Sequence, residues 1–222
     1  MGRLLDNESL FGRMMTRCWI LIGANLMFLL FSLPVITTGP AFAALCFVML
    51  KVLRGDRDLN PFKTFFQAFK ANLKQGLLVW TVFLALAVLL YLDIRFCNYA
   101  GGMFLYFKYA LYVMAAVLIM LTAYILPVMA AFSDTIPGLL RNAVFFIARN
   151  PLKMPVIVFL DVFPLVVTWL DEKYRPLYVF LWAVFGFARI AMLVSRLLIK
   201  DFSKFLPEVD EYGYFRYESP DK

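Results

Sequence analysis

Residues 152–200 decide the fold and read LKMPVIVFLDVFPLVVTWLDEKYRPLYVFLWAVFGFARIAMLVSRLLIK. They predict two long apolar helices, residues 152–170 and 177–198, joined by a charged turn. Each helix carries one ionisable residue far from its ends, Asp161 in the first and Arg189 in the second. An isolated charge at the centre of a membrane helix costs about 2.5–3.5 kcal/mol or more. Asp161 and Arg189 are therefore expected to face each other as an intramembrane polar pair.

Two roles are open for this predicted pair. It is either a structural ion pair that fixes the register of the two helices, or part of a gate or polar-solute site. Pro164 follows Asp161 and Gly186 precedes Arg189, and these residues favour the second role because they allow a kink and a close helix approach. As a third option, Arg189 extends its guanidinium to the membrane surface instead of pairing.

The composition extends this interpretation to the whole chain. Hydrophobic side chains make up 63% of it and charged side chains only 17%, whereas soluble domains are roughly 45–50% apolar and 25% charged. We therefore predict an all-α, polytopic transmembrane helical bundle. Residues 1–200 form its single domain and residues 201–222 a short cytoplasmic tail. Besides the two helices above, spans are predicted over residues 18–33, 40–53, 76–92 and 106–128.

A break between the first two predicted spans lies in residues 32–41, SLPVITTGPA. Pro34 and Pro40 remove backbone donors and Gly39 permits a sharp turn, so these three residues form a helix-break motif. The span that follows has only about 14–16 residues, whereas a full crossing needs about 20. Two interpretations stay open: a full crossing, which gives about six spans, or a re-entrant segment, which gives five.

An amphipathic segment precedes the third span. Its aromatic residues recur at helical spacing and form one stripe, while its basic residues lie off that stripe. This pattern is typical of an interfacial helix at the cytoplasmic membrane surface. The helix either anchors in lipid or docks a cytoplasmic partner, and its candidate surface residues are Phe62, Phe65, Phe66, Phe69, Lys70 and Asn72. Residues 136–150 predict a second interfacial helix of this kind.

The distribution of charge sets the predicted orientation. The net charge is +7, but the basic residues are spread between apolar segments rather than gathered in one patch, which argues against a nucleic-acid partner. Most of them share one side of the membrane when both termini are cytoplasmic; the other side holds Arg95, Lys108, Lys173 and Arg175. The positive-inside rule therefore predicts a multi-pass plasma-membrane protein with both termini in the cytoplasm.

Residue types that catalyse reactions or bind metals are scarce. The chain has no His and three Cys, and it lacks the motifs of zinc proteases, serine hydrolases and P-loop enzymes. Asp134 is the only candidate for the second carboxylate that intramembrane aspartyl chemistry would need opposite Asp161, and its predicted depth does not match. We expect no enzymatic activity, no metal and no cofactor. We expect the lipid bilayer to surround the protein.

Residues 32–41 (SLPVITTGPA), residues 65–75 (FFQAFKANLKQ) and the later dipeptide Asn150-Pro151 carry a family resemblance. Together they are similar to the YesL family of small bacterial integral membrane proteins. The resemblance implies an accessory or regulatory role in carbohydrate uptake, with sugar ABC importer subunits as candidate partners, and it implies no catalytic residues. The residues alone leave an alternative open, an autonomous small-solute transporter or channel that uses Asp161 and Arg189.

Overall fold

A computed structural model describes residues 10–56 and 59–205, which form an all-α bundle. Six of its helical segments are long and apolar enough to cross a membrane, which confirms the predicted polytopic architecture. The last of these segments, Arg175–Lys204, is one helix that contains a π-helical turn. The elements are α1 (Leu10–Phe31), a 3₁₀ turn (Val35–Thr37), α2 (Thr38–Leu53), α3 (Pro61–Ala100), α4 (Phe104–Ala131), α5 (Ile136–Arg149), α6 (Lys153–Leu170), α7 (Arg175–Leu181), the π-turn (Trp182–Gly186) and α8 (Phe187–Phe205).

Helix α2 is the centre of the bundle. It packs against α1, α3, α4 and α8, and nearly every residue from Gly39 to Leu50 is buried. Protein rather than lipid therefore surrounds α2, which removes the need for its length to match the hydrocarbon thickness. It is a single uninterrupted helix and one of the six candidate spans. The structure therefore favours the six-span interpretation over the re-entrant one.

Two glycines bring α2 and α3 into close contact. Gly39 lies against the Trp80 side chain, and a Cβ atom added to Gly39 would be 2.6 Å from the Trp80 Cβ. Gly76 lies against Pro40, and a Cβ atom there would be 2.8 Å from the Pro40 Cβ. Because no larger residue fits without displacement, these glycines set the spacing of the two helices.

The predicted division of α3 into a surface helix and a span over residues 76–92 is wrong. Residues 61–100 form one helix of 40 residues, about 60 Å long at 1.5 Å per residue, twice the hydrocarbon thickness of roughly 30 Å. The start is fixed as expected: the Asn60 side chain accepts hydrogen bonds from the backbone N–H groups of Phe62 and Lys63. Nothing in residues 73–77 removes a backbone donor, so the helix continues although its surface changes from amphipathic to apolar.

Side chains donate hydrogen bonds to backbone carbonyl groups at the break where α1 ends. The Thr37 hydroxyl oxygen lies 2.7 Å from the Phe31 carbonyl oxygen and 2.8 Å from that of Pro34, so its one proton is shared between the two acceptors. The Phe31 carbonyl is one of the groups that the end of α1 leaves unpaired. The Trp80 indole N–H donates to the Val35 carbonyl at 2.8 Å. Pro34 is exposed, whereas Gly39 and Pro40 are buried at the start of α2.

The second predicted interfacial helix, α5, is partly inside the bundle. Its residues Leu139, Ala143 and Phe146 are buried, and the Phe146 ring lies 5.0 Å from that of Phe202 on α8. Its opposite face exposes apolar side chains such as Val144. The bundle therefore covers one apolar face of α5, and the apolar side chains on its opposite face remain available to lipid. The predicted tail begins within α8, and residues 206–222 lie outside the described residues.

Candidate functional site

A cavity of about 390 Å³ lies where all six candidate spans meet. This volume falls in the usual range for small-molecule pockets, about 300–1,000 Å³. Most of its wall is apolar, and aromatic rings from four of these spans contribute to it. The lining residues are Phe28, Thr38, Phe42, Trp80, Phe83, Leu84, Ala87, Leu118, Ile119, Thr122, Ala123, Leu126, Val158, Asp161, Val162, Leu165, Trp182, Phe187 and Ile190.

Asp161 is the one charged side chain among the described residues that line the cavity. It comes from the middle of α6, and its Oδ1 atom is buried without a hydrogen-bond partner. A buried polar atom that has lost water and gained no partner costs free energy, and such exceptions in native structures call for an explanation. Asp161 is therefore the chemically distinctive residue of the cavity.

The predicted Asp161–Arg189 pair is not formed. Across residues 10–56 and 59–205 the ion pairs are Lys153–Asp201 and Glu172–Arg175, while Arg189 is exposed. The reason is helical geometry. Ala188, a fully buried neighbour of Arg189, lies on the face of α8 that packs into the bundle. Successive residues are about 100° apart around a helix, so Arg189 points away from it.

The π-turn lies beside the cavity, and hydrogen bonds from Asn25 of α1 stabilise the turn. The fully buried Asn25 side chain donates to the carbonyls of Trp182 and Ala183 at 2.9 and 2.8 Å, and it accepts from the Ala188 N–H at 3.0 Å. A π-turn displaces backbone groups from their usual partners, and such turns occur frequently at functional sites. An amide within an apolar run is expected to face the interior of the bundle, as Asn25 does, but no feature of the sequence indicates the π-turn.

Two indole rings of the cavity wall are fixed at their edges. Trp182 donates its indole N–H to the Thr168 hydroxyl at 2.9 Å. Trp80 donates its indole N–H to the Val35 carbonyl at the α1–α2 break. Gly186 makes room for Trp182, since a Cβ atom there would lie 2.6 Å from its Cε3. Because both donors are in use, the two tryptophans offer a ligand ring surface rather than hydrogen bonds.

The predicted surface on the first part of α3 is only half exposed. Phe65 and Phe69 are buried in the bundle, where their ring centroids lie 5.9 and 4.7 Å from that of Phe31. Asn72 is also buried and donates to the Ala68 carbonyl. Phe62, Phe66 and Lys70 remain exposed. The stripe showed which face avoids water, and α1 and α2 cover most of that face instead of lipid or a partner.

An ion pair that the sequence did not indicate joins the ends of α6 and α8. The Lys153 ammonium contacts the Asp201 carboxylate at 2.5 Å and donates to the Leu197 carbonyl at 3.3 Å. Asp201 is buried. The two residues are 48 apart in the chain, so no local pattern relates them.

Comparisons with known proteins assign no activity to the chain. A family described as "Protein of unknown function, DUF624" matches residues 21–94, which include half of α1, all of α2 and most of α3. The chain is also 27% identical over 134 residues to the "Uncharacterized protein YteU" of Bacillus subtilis (strain 168). That similarity covers 58% of this chain and 60% of the relative's length. No solved structure matches the chain.

Proposed function

We propose that this membrane protein has an accessory or regulatory role in carbohydrate uptake and acts beside a sugar ABC importer. The resemblance to the YesL family supports the carbohydrate role. The cavity supports an accessory role rather than conduction of the sugar itself, because its wall is mostly apolar and both tryptophan N–H groups are occupied. A sugar carries many hydroxyl groups, and each one left without a hydrogen bond in an apolar site is costly.

The partner surface that fits this role is the exposed face at the start of α3. Phe62 and Phe66 present apolar rings there, and Lys63, Lys70 and Lys74 surround them with positive charge. Exposed aromatic side chains rimmed by charge are common in protein interfaces, and the same pattern also suits anionic lipid. We propose that this face contacts the cytoplasmic side of the importer.

The test is affinity purification of a tagged copy from native membranes in mild detergent. We expect sugar-importer subunits to copurify and Phe66→Glu to reduce their recovery at least fivefold. Phe96→Glu is the matched control, because Phe96 is an exposed phenylalanine near the other end of the same helix; its recovery should equal that of the wild type. Absence of importer subunits from the wild-type preparation would contradict the function, whereas full recovery with Phe66→Glu would contradict only the surface.

The cavity also favours a second candidate, a transporter for a small solute. The transporter hypothesis depends on Asp161 alone, because Asp161 lies in the cavity wall and Arg189 lies outside the cavity. Purified protein in liposomes should then give a solute flux that Asp161→Asn abolishes. A flux that is unchanged in this variant would rule out the cavity as the transport site.

A further inference from the structure

The cavity combines one carboxylate with an aromatic wall. Asp161 provides the charge, and rings from α1, α2, α3, the π-turn and α8 provide apolar and quadrupolar surface, among them Phe28, Trp80, Trp182 and Phe187. Aromatic faces attract cations, tryptophan most strongly, and the attraction grows where water is excluded. This combination selects ligands that carry a positive charge on an apolar body.

No cation among residues 10–56 and 59–205 pairs with Asp161. The Oδ1 atom has no hydrogen-bond partner, and among the described residues the two ion pairs use other carboxylates. Arg189, the cation that the sequence placed opposite Asp161, is exposed elsewhere. Since an uncompensated charge inside a bundle is costly, an external cation would supply what the fold leaves out.

The opening of the cavity indicates where the ligand comes from. Ala87 of α3, Ile119 of α4, and Val162 and Leu165 of α6 line the cavity and are also exposed at the side of the bundle. That surface is apolar and belongs to three candidate spans. A ligand that enters past these side chains therefore arrives from the bilayer and must itself be lipophilic.

We propose that the cavity binds a small lipophilic cation, an amine or quaternary ammonium, with Asp161 as its counter-ion and Trp80 and Trp182 flanking the charged group. The site is independent of the accessory role in carbohydrate uptake. The cationic group has two sources that share this chemistry, a free amphiphilic amine or the headgroup of an amine-containing phospholipid.

Binding is tested by calorimetry on the full chain in nanodiscs of phosphatidylglycerol, with empty nanodiscs as the baseline. The probe is benzyltrimethylammonium, and its neutral isostere neopentylbenzene has the same shape without the charge. We expect saturable binding of the cation, at least tenfold tighter than that of the isostere. Equal binding of the two probes, or no saturable binding of the cation, would overturn the proposal without any variant that might fail to fold.

Variants then locate the site. Asp161→Asn should weaken cation binding at least tenfold and leave binding of the isostere unchanged, while Asp93→Asn, which alters an exposed carboxylate outside the cavity, should bind as the wild type does. Unchanged cation affinity in Asp161→Asn would overturn the assignment. Adding phosphatidylethanolamine to the nanodiscs separates the sources: a weaker apparent affinity for the probe identifies the lipid headgroup as the occupant, and an unchanged one identifies a free amine.

Discussion

At the scale of single residues, Asn25 has the clearest structural role. Its side chain makes three hydrogen bonds to the backbone at and after the π-turn, 2.8–3.0 Å long. In Asn25→Leu these backbone groups lose their partner inside the bundle, and we expect a loss of about 1–3 kcal/mol in the free energy of unfolding. Thermal unfolding in detergent measures it. Asn98→Leu removes an exposed amide at the far end of α3 and should leave the midpoint unchanged; equal midpoints in both variants would contradict the role of Asn25.

At the scale of helices, the contact between α2 and α3 decides how a glycine substitution behaves. Replacing a glycine in a helix with alanine ordinarily stabilises by about 0.5–1 kcal/mol. In Gly76→Ala the new Cβ would lie 2.8 Å from the Pro40 Cβ, and we expect a net loss of about 1–3 kcal/mol because the two helices must move apart. The sign of the change in chemical denaturation is the test: a stabilised Gly76→Ala variant would show that α2 and α3 are not in close contact.

At the scale of the whole molecule, the bundle must take one orientation in the bilayer. The positive-inside rule places the loop between α3 and α4 outside and the start of α3 in the cytoplasm. In a chain whose native cysteines are replaced by alanine, we expect Tyr99→Cys to react with an impermeant maleimide in right-side-out vesicles, and Gln67→Cys in inside-out vesicles. Both positions are exposed, so each controls for the other. The reverse pattern would show that the orientation is inverted.

The sequence by itself determined the all-α architecture of long apolar helices and narrowed the number of spans to five or six. Apolar runs of membrane length, scarce charges and the proline-glycine break suffice for that, because hydropathy and backbone chemistry act locally. The interior position of Asn25 has the same local origin, because an amide within an apolar run has few other places to lie.

Only the tertiary structure decided what covers each helical face. Periodicity shows that the face of Phe65 and Phe69 avoids water, but lipid, a partner and α1 all satisfy that requirement, and α1 is what packs there. Asp161 and Arg189 have similar depth in the sequence, yet the packing of Ala188 on the inner face turns Arg189 outward and leaves Asp161 in the cavity wall. These outcomes depend on contacts between distant residues, which no local pattern contains.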